Sequence, residues 1–120
     1  MKVLYQPELD KVKGDKLSEI ANARFIAETS GVTINGMTIP TDRQSQALIT
    51  GAALQAIIDN TYVCNWKTEN GFIPLDANTI LAIASVVRQH VQACFDKEKI
   101  YVERINSATD IEDLIDLKWE

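Results

Sequence analysis

Apolar and polar positions along this chain follow two periods, and the switches between them mark out the elements. From Glu8 to Glu28 the spacing is helical, and "KLSEIANARFIAE" is its stronger half. There Leu17, Ile20, Ala21 and Ala27 share a face, with Arg24 and Phe25 at its edge. Residues 1–7 read as an extended lead-in, and Pro7 suits a first helical position because its missing N–H costs nothing there. Gly14 is expected to break or loosen the helix. Ser30-Gly31 is expected to end it, with Gly31 in the left-handed conformation.

The period then drops to two. "VTINGMTI" holds Asn35-Gly36 between alternating apolar residues, and both turn residues tolerate the positive φ of a type I′ hairpin. A two-residue loop fixes the register: Ile34 faces Met37, Thr33 faces Thr38, and Val32 faces Ile39. One face is apolar and the threonines line the other. Pro40 stops the pairing. Thr41 reads as a helix N-cap, with Gln44 completing a capping box. In "DRQSQALITGAALQAIID" the expected buried stripe is Ala47, Leu48, Gly51, Leu54 and Ile58, with Gly51 and Ala52 admitting a close backbone.

"TYVCNWKTENGFIPLD" predicts a second hairpin, with strands Tyr62–Lys67 and Phe72–Leu75 and Asn70-Gly71 in a slightly longer turn. Pro74 assigns the second strand to an edge. Asp76 caps the longest predicted helix, residues 77 to about 105, which would run roughly 40 Å. Its apolar seam is Ile80, Ala84, Val87, Val91, Cys94, Tyr101 and Ile105, interrupted by Glu98. A long central helix wrapped by a small domain is expected, with homo-oligomeric self-association the other reading. "SATDIEDLIDLKWE" closes the chain as a short helix carrying Ile111, Leu114 and Ile115, with Thr109 and Glu112 as its capping box. Trp119 seals the core or anchors a partner. The predicted class is α+β: helices packed against two small antiparallel hairpins, which are free to join into one sheet.

Length adds that 120 residues make one domain. Residues 1–16 are read as lead-in and helix start, and 17–120 as a single α+β domain. A 46% apolar and 24% charged composition is that of a globular protein. The net charge of −5 comes without a lysine or arginine run, which argues against nucleic acid as a partner. Acidity favours solubility or a basic partner surface. Cys64 and Cys94 form no CxxC pair and are read as buried, reduced thiols. "MKVLYQPELDKVKGDK" lacks the apolar core of a secretory signal, and no stretch approaches a membrane span, so no membrane is expected as a partner.

Candidate chemistry is sparse. His90 shares a helix face with Cys94, but no orienting group or oxyanion hole accompanies them, and a surface histidine is the better reading. One histidine and two cysteines do not make a zinc set. Asp110, Glu112, Asp113 and Asp116 lack calcium-loop spacing and suit the first turn of a helix. No catalytic residue, metal or cofactor is assigned. Asp42-Arg43 reads first as cap and helix-start charge. Aromatic residues exceed what a small core needs, and Trp and Tyr are enriched at interface hot spots. Asp42, Arg43, Tyr62, Trp66, Lys67, Phe72, Tyr101 and Trp119 are therefore the candidate partner-binding residues.

"GVTINGMTIPTDRQSQALITGAAL", "WKTENGFIPLDANTILAIASVVRQHVQACFDKE" and "INSATDIEDLIDL" together resemble a domain of unknown function of tailed bacteriophages and prophages. The family pattern runs apolar strand, N/D-G, second strand, T-D-R-x-S-Q, small-residue helix, W-K-T-x-x-G-F, L-D-A and V-x-x-H-V-Q-A-C-F. Its blocks occur here in order over about residues 17–117. The recurrent residues fall at Asp42, Arg43, Ser45, Gln46, Trp66, Lys67, Asp76, His90, Gln92, Cys94 and Phe95. The resemblance implies a place in tail-gene clusters, a tail-fibre or other tail protein as partner, and residence in the host cytoplasm during assembly or in the virion tail. With about sixteen residues ahead of the match and no fibre shaft, it implies a free-standing assembly chaperone or a small structural tail or baseplate subunit. A phage-encoded inhibitor of a host protein is the alternative.

Overall fold

The computed structural model of this chain describes residues 7–68 and 70–120. The lead-in expected for residues 1–7 therefore lies outside the described residues, apart from Pro7. In chain order the elements are α1 (Pro7–Glu28), β1 (Val32–Ile34), β2 (Met37–Ile39), α2 (Arg43–Ile58), β3 (Val63–Thr68), β4 (Gly71–Asp76), α3 (Ala77–Ser107) and α4 (Glu112–Ile115). The class is α+β. The two hairpins do not join: β1–β2 and β3–β4 form separate two-stranded sheets. The chain divides into two compact units, Glu28–Gln92 and a second made of Ala93–Glu120 with the described residues up to Ala27.

In the second of these units, Leu9 and Ile20 of α1 pack with Tyr101 and Ile105 of α3 and with Leu114 and Leu117 of the C-terminal segment. Ile20 and Ile105 are wholly buried. Gly14 does not interrupt α1, correcting the expectation: a mid-helix glycine costs only about 1 kcal/mol, and packing at Leu9, Val12, Leu17 and Ile20 on both sides of it offsets that. Glu98, the polar break in the α3 seam, has a specific partner. Arg24 Nε donates to Glu98 Oε1 at 3.0 Å, with both side chains largely buried. The same guanidinium lies 4.4 Å from the centre of the Phe95 ring. Lys13 Nζ donates to the Asn106 carbonyl at 3.2 Å, placing a cation where the last turn of α3 leaves carbonyls unpaired.

The expected capping box of α4 is absent. Ile111 holds the cap position without a side-chain bond, and the turn closes through Leu114 N–H to the Ile111 carbonyl at 2.9 Å. Ile111, Leu114 and Leu117 point inward at a spacing of three, the period of a tighter 3₁₀-like turn. Ile115, expected to be inside, is exposed.

In the Glu28–Gln92 unit the first hairpin has the predicted register, Val32↔Ile39, Thr33↔Thr38 and Ile34↔Met37. Asn35 and Gly36 adopt φ of 51° and 77°, as a type I′ turn requires. The apolar residues pack against a core of Ile39, Ile49, Leu75, Ile80, Ile83 and Val87, and the threonines are exposed. In the second hairpin, strand pairing begins at Val63, and Gly71 pairs with Thr68 as a strand residue rather than lying in a longer turn. Pro74 is tolerated opposite Asn65 because a two-stranded sheet is all edge. Asp76 caps α3 as predicted, accepting from Thr79 N–H at 2.8 Å.

Two expectations for α2 are corrected. Asp42, not Thr41, is the N-cap, accepting from Ser45 N–H at 3.1 Å. The buried face is Ile49 and Ala56, with Ala52 and Ala53 partly buried, rather than the predicted stripe. Ala47, Leu48, Gly51, Leu54 and Ile58 are all exposed. The helix is apolar on both faces, so periodicity alone does not select one. Among the described residues a Cβ built at Gly51 would meet nothing within 4 Å, so none of their backbone approaches it closely.

Replacing wholly buried Ile105 by Ala is expected to cost about 3 kcal/mol in urea denaturation. Ile115→Ala should stay within about 0.5 kcal/mol of the parent. Hydrogen bonds from the Thr79 hydroxyl and then from its backbone N–H hold the Asp76 carboxyl below its ordinary value of 3.8. A depressed folded-state pKa contributes stability above the ordinary value and loses it as pH falls through the folded value. Asp76→Ala should therefore lower the thermal midpoint at neutral pH, with the gap to the parent closing as the pH falls through the folded-state value.

Candidate functional site

The T-D-R-x-S-Q block occupies the start of α2, and each of its polar side chains has a bond to make. Thr41 is almost wholly buried. Its hydroxyl donates to the Glu28 carbonyl at 2.7 Å and accepts from Gly31 N–H at 2.9 Å. Glu28 itself is wholly buried. Arg43 clasps its carboxylate with both Nε and Nη2, and Gln46 Nε2 donates to Glu28 Oε2 at 2.9 Å and to the Thr41 carbonyl at 2.7 Å. The last residue of α1, the base of the first hairpin and the first turn of α2 are thereby fastened together. Glu28 raises the Arg43 pKa above its ordinary value, first by hydrogen bonding and then by charge. Hydrogen bonds from the Ser45 hydroxyl and backbone lower that of Asp42.

Glu28 and Thr41 were missed as a pair by the sequence reading. A signal existed: an anion at a helix C-terminus opposes the helix dipole and implies a dedicated partner. Gly31, at φ 91°, completes the junction, since a Cβ there would lie 3.2 Å from the Ile39 carbonyl oxygen.

The second hairpin carries three of the candidate residues, Trp66, Lys67 and Phe72, and Tyr62 immediately precedes it. Cys64, Trp66, Ile73 and Leu75 face inward, while Lys67 and Phe72 stand opposite each other on the outer face. Trp66 has two roles. Its inner edge abuts Ile49, Leu75, Ile80 and Ile83 around a void of about 10 Å³. It also lines an open groove of about 670 Å³ with Lys67, Ile73, Pro40 and the Asn35–Thr38 turn of the first hairpin. Lys67 is the one charge among the described residues of that groove. Tyr62, Trp66 and Lys67 share a second open groove beside α2. The Cys64 thiol, by hydrogen bonding and charge, pushes the Tyr62 phenol above its ordinary value.

The structure thus brings Tyr62, Trp66 and Lys67 together. Phe72 is exposed on the outer face of the same hairpin. Asp42 and Arg43 belong to the junction at the start of α2. Tyr101 and Trp119 belong to the other unit, where their ring centres lie 5.7 Å apart and Lys97 Nζ sits 4.5 Å over the Trp119 ring. Cys94 is buried, Cys64 is only half-buried rather than buried as expected, and neither is in a disulfide. His90 is partly exposed on α3. Among the described residues no group of three His, Cys, Asp or Glu side chains is placed to hold a metal ion, and no helix is long and apolar enough to cross a membrane.

Among the described residues, four helices with two separate two-stranded antiparallel sheets define an α+β protein whose polar junction and aromatic groove are built from adjoining segments. The chain matches, over residues 11–118, the family described as "Domain of unknown function (DUF4376)", and it belongs to that family. No curated protein and no solved structure matches it.

Replacing Thr41 by Val keeps the side-chain shape and removes both buried hydrogen bonds. The loss should be about 2 kcal/mol in urea denaturation, because the Glu28 carbonyl and Gly31 N–H would each be left short of a partner. Thr38→Val, on the exposed face of the first hairpin, should change stability by less than about 0.5 kcal/mol.

Proposed function

We propose that this chain is a tail-associated binding protein of bacteriophages or prophages, acting on a tail fibre as an assembly chaperone or serving as a small tail component. The groove along Trp66 and Lys67 carries this reading. A tryptophan anchored in the core and open on one side is a rigid, preorganised contact of the kind that dominates protein interfaces. Lys67, the one cation among the described residues that line the groove, suits a neutral or acidic segment laid along the hairpins. The sequence resemblance supplies the tail association. A fibre end that is apolar before its chains trimerise is prone to aggregate, and an acidic protein that covers it transiently keeps it soluble. No catalytic step belongs to this reading, and His90→Ala should leave binding unchanged.

The test is co-purification from infected or induced cells with a tag on this chain. The chaperone form predicts newly made fibre in the eluate and none of this protein in purified virions; stoichiometric recovery from virions identifies a tail subunit instead. Lys67→Glu should reduce recovery of the tail partner at least fivefold while leaving the circular dichroism spectrum unchanged. Recovery of a host protein with no tail protein would contradict the proposal and favour an inhibitor.

A further inference from the structure

Two open grooves meet at Trp66. The one between the hairpins, about 670 Å³, and the one beside α2, about 600 Å³, share Pro40, Trp66 and Lys67 as lining residues. Together they make one trough whose character changes along its length. At the hairpin end its walls include the Asn35-Gly36 turn, Thr38, Thr68 and Asn70, all without charge. At the α2 end they include Ala47, Leu48, Gly51 and Ala52.

The α2 end is both apolar and roomy. Leu48 is 59% exposed there. A Cβ built at Gly51 would meet nothing within 4 Å among the described residues. Glycine inside a helix weakens it, so at this position α2 gives up helix stability and leaves space in the trough.

Charge says what kind of segment fits. Lys67 is exposed and stands where the two grooves meet, and it is the one charge among the described residues that line either. Among the described residues it belongs to no ion pair. A wholly apolar segment laid over it would take an ammonium out of water with nothing to pair it. A basic segment would set like charges together here, while the rest of a chain of net charge −5 would draw it elsewhere. A carboxylate satisfies Lys67, and apolar neighbours of that carboxylate satisfy Leu48 and the space at Gly51.

We propose that the trough selects an acidic-apolar segment of its partner, with an Asp or Glu side chain paired to Lys67 and a bulky apolar side chain beside it seated against Leu48 and over Gly51. This rests on the reading that the Trp66 groove is the capture site. It names what that site recognises, whether the segment belongs to a tail protein or to a host protein.

Selection of a random peptide library, displayed on yeast, against the full chain tests the preference without a known partner. The enriched peptides should carry an Asp or Glu flanked by large apolar residues. For a synthetic copy of one of them, titration calorimetry should show at least tenfold weaker binding to Lys67→Glu and to Leu48→Glu, with unchanged circular dichroism spectra. Gly51→Leu should raise the thermal midpoint, because leucine is the better helix former, and still weaken binding at least tenfold by filling the trough. The preference is overturned if no peptide is enriched, if the enriched peptides are basic or uncharged, or if their affinity is indifferent to Lys67→Glu, Leu48→Glu or Gly51→Leu. The tail association fails separately, when co-purification returns a host protein and no tail protein, and that result leaves the peptide preference standing.

Discussion

A single buried carboxylate governs the layout of the Glu28–Gln92 unit. Burying an ion is costly unless its charge and its hydrogen-bonding capacity are both met. Glu28 satisfies that requirement from three directions: Arg43 clasps it, Gln46 bonds it, and the Thr41 hydroxyl takes up its own backbone carbonyl. Each partner comes from the segment that follows the first hairpin. The chain must therefore turn back at Asn35-Gly36 and enter α2 at Arg43 for the carboxylate to be satisfied. Among the described residues no buried side-chain polar atom is left without a partner.

The groove depends on this junction through position. The Asn35–Thr38 turn and Pro40 form one wall of the groove whose other wall is Trp66 and Lys67, and the first hairpin is held at its base by the Thr41 and Gly31 bonds. The same junction frees the outer face of α2. Ile49, Ala52, Ala53 and Ala56 turn into the core and leave Leu48, Leu54 and Ile58 outside. One polar lock thus orients both the aromatic groove and the apolar helix face.

Much of this was legible from local chemistry. Asn-Gly between alternating apolar residues determined the first hairpin to the residue, because only one register follows from a two-residue loop. The seam from Ile80 to Ile105 marked α3, and Asp76 its start, because capping and heptad spacing are both short-range signals. Tertiary choices were not legible. α2 has two apolar faces at the same spacing, and the core selects between them. Thr41 looks like a cap, but its hydroxyl is claimed by α1 across thirteen residues, which moves the cap to Asp42. Of the site, Trp66 and Lys67 were visible as residue types, whereas Glu28 has no local motif and becomes significant only with Arg43 and Gln46 around it.

Amide hydrogen exchange at Gly31 in an Arg43→Ala protein tests most directly whether the Glu28 carboxylate organises this junction. Gly31 N–H reports the junction through its bond to Thr41, which the substitution leaves in place. Loss of the guanidinium should speed exchange at Gly31 at least tenfold relative to amides of α3, as the junction opens locally. Exchange at Gly31 as slow as in the parent protein would show that the hairpin and α2 hold their places without the buried ion pair.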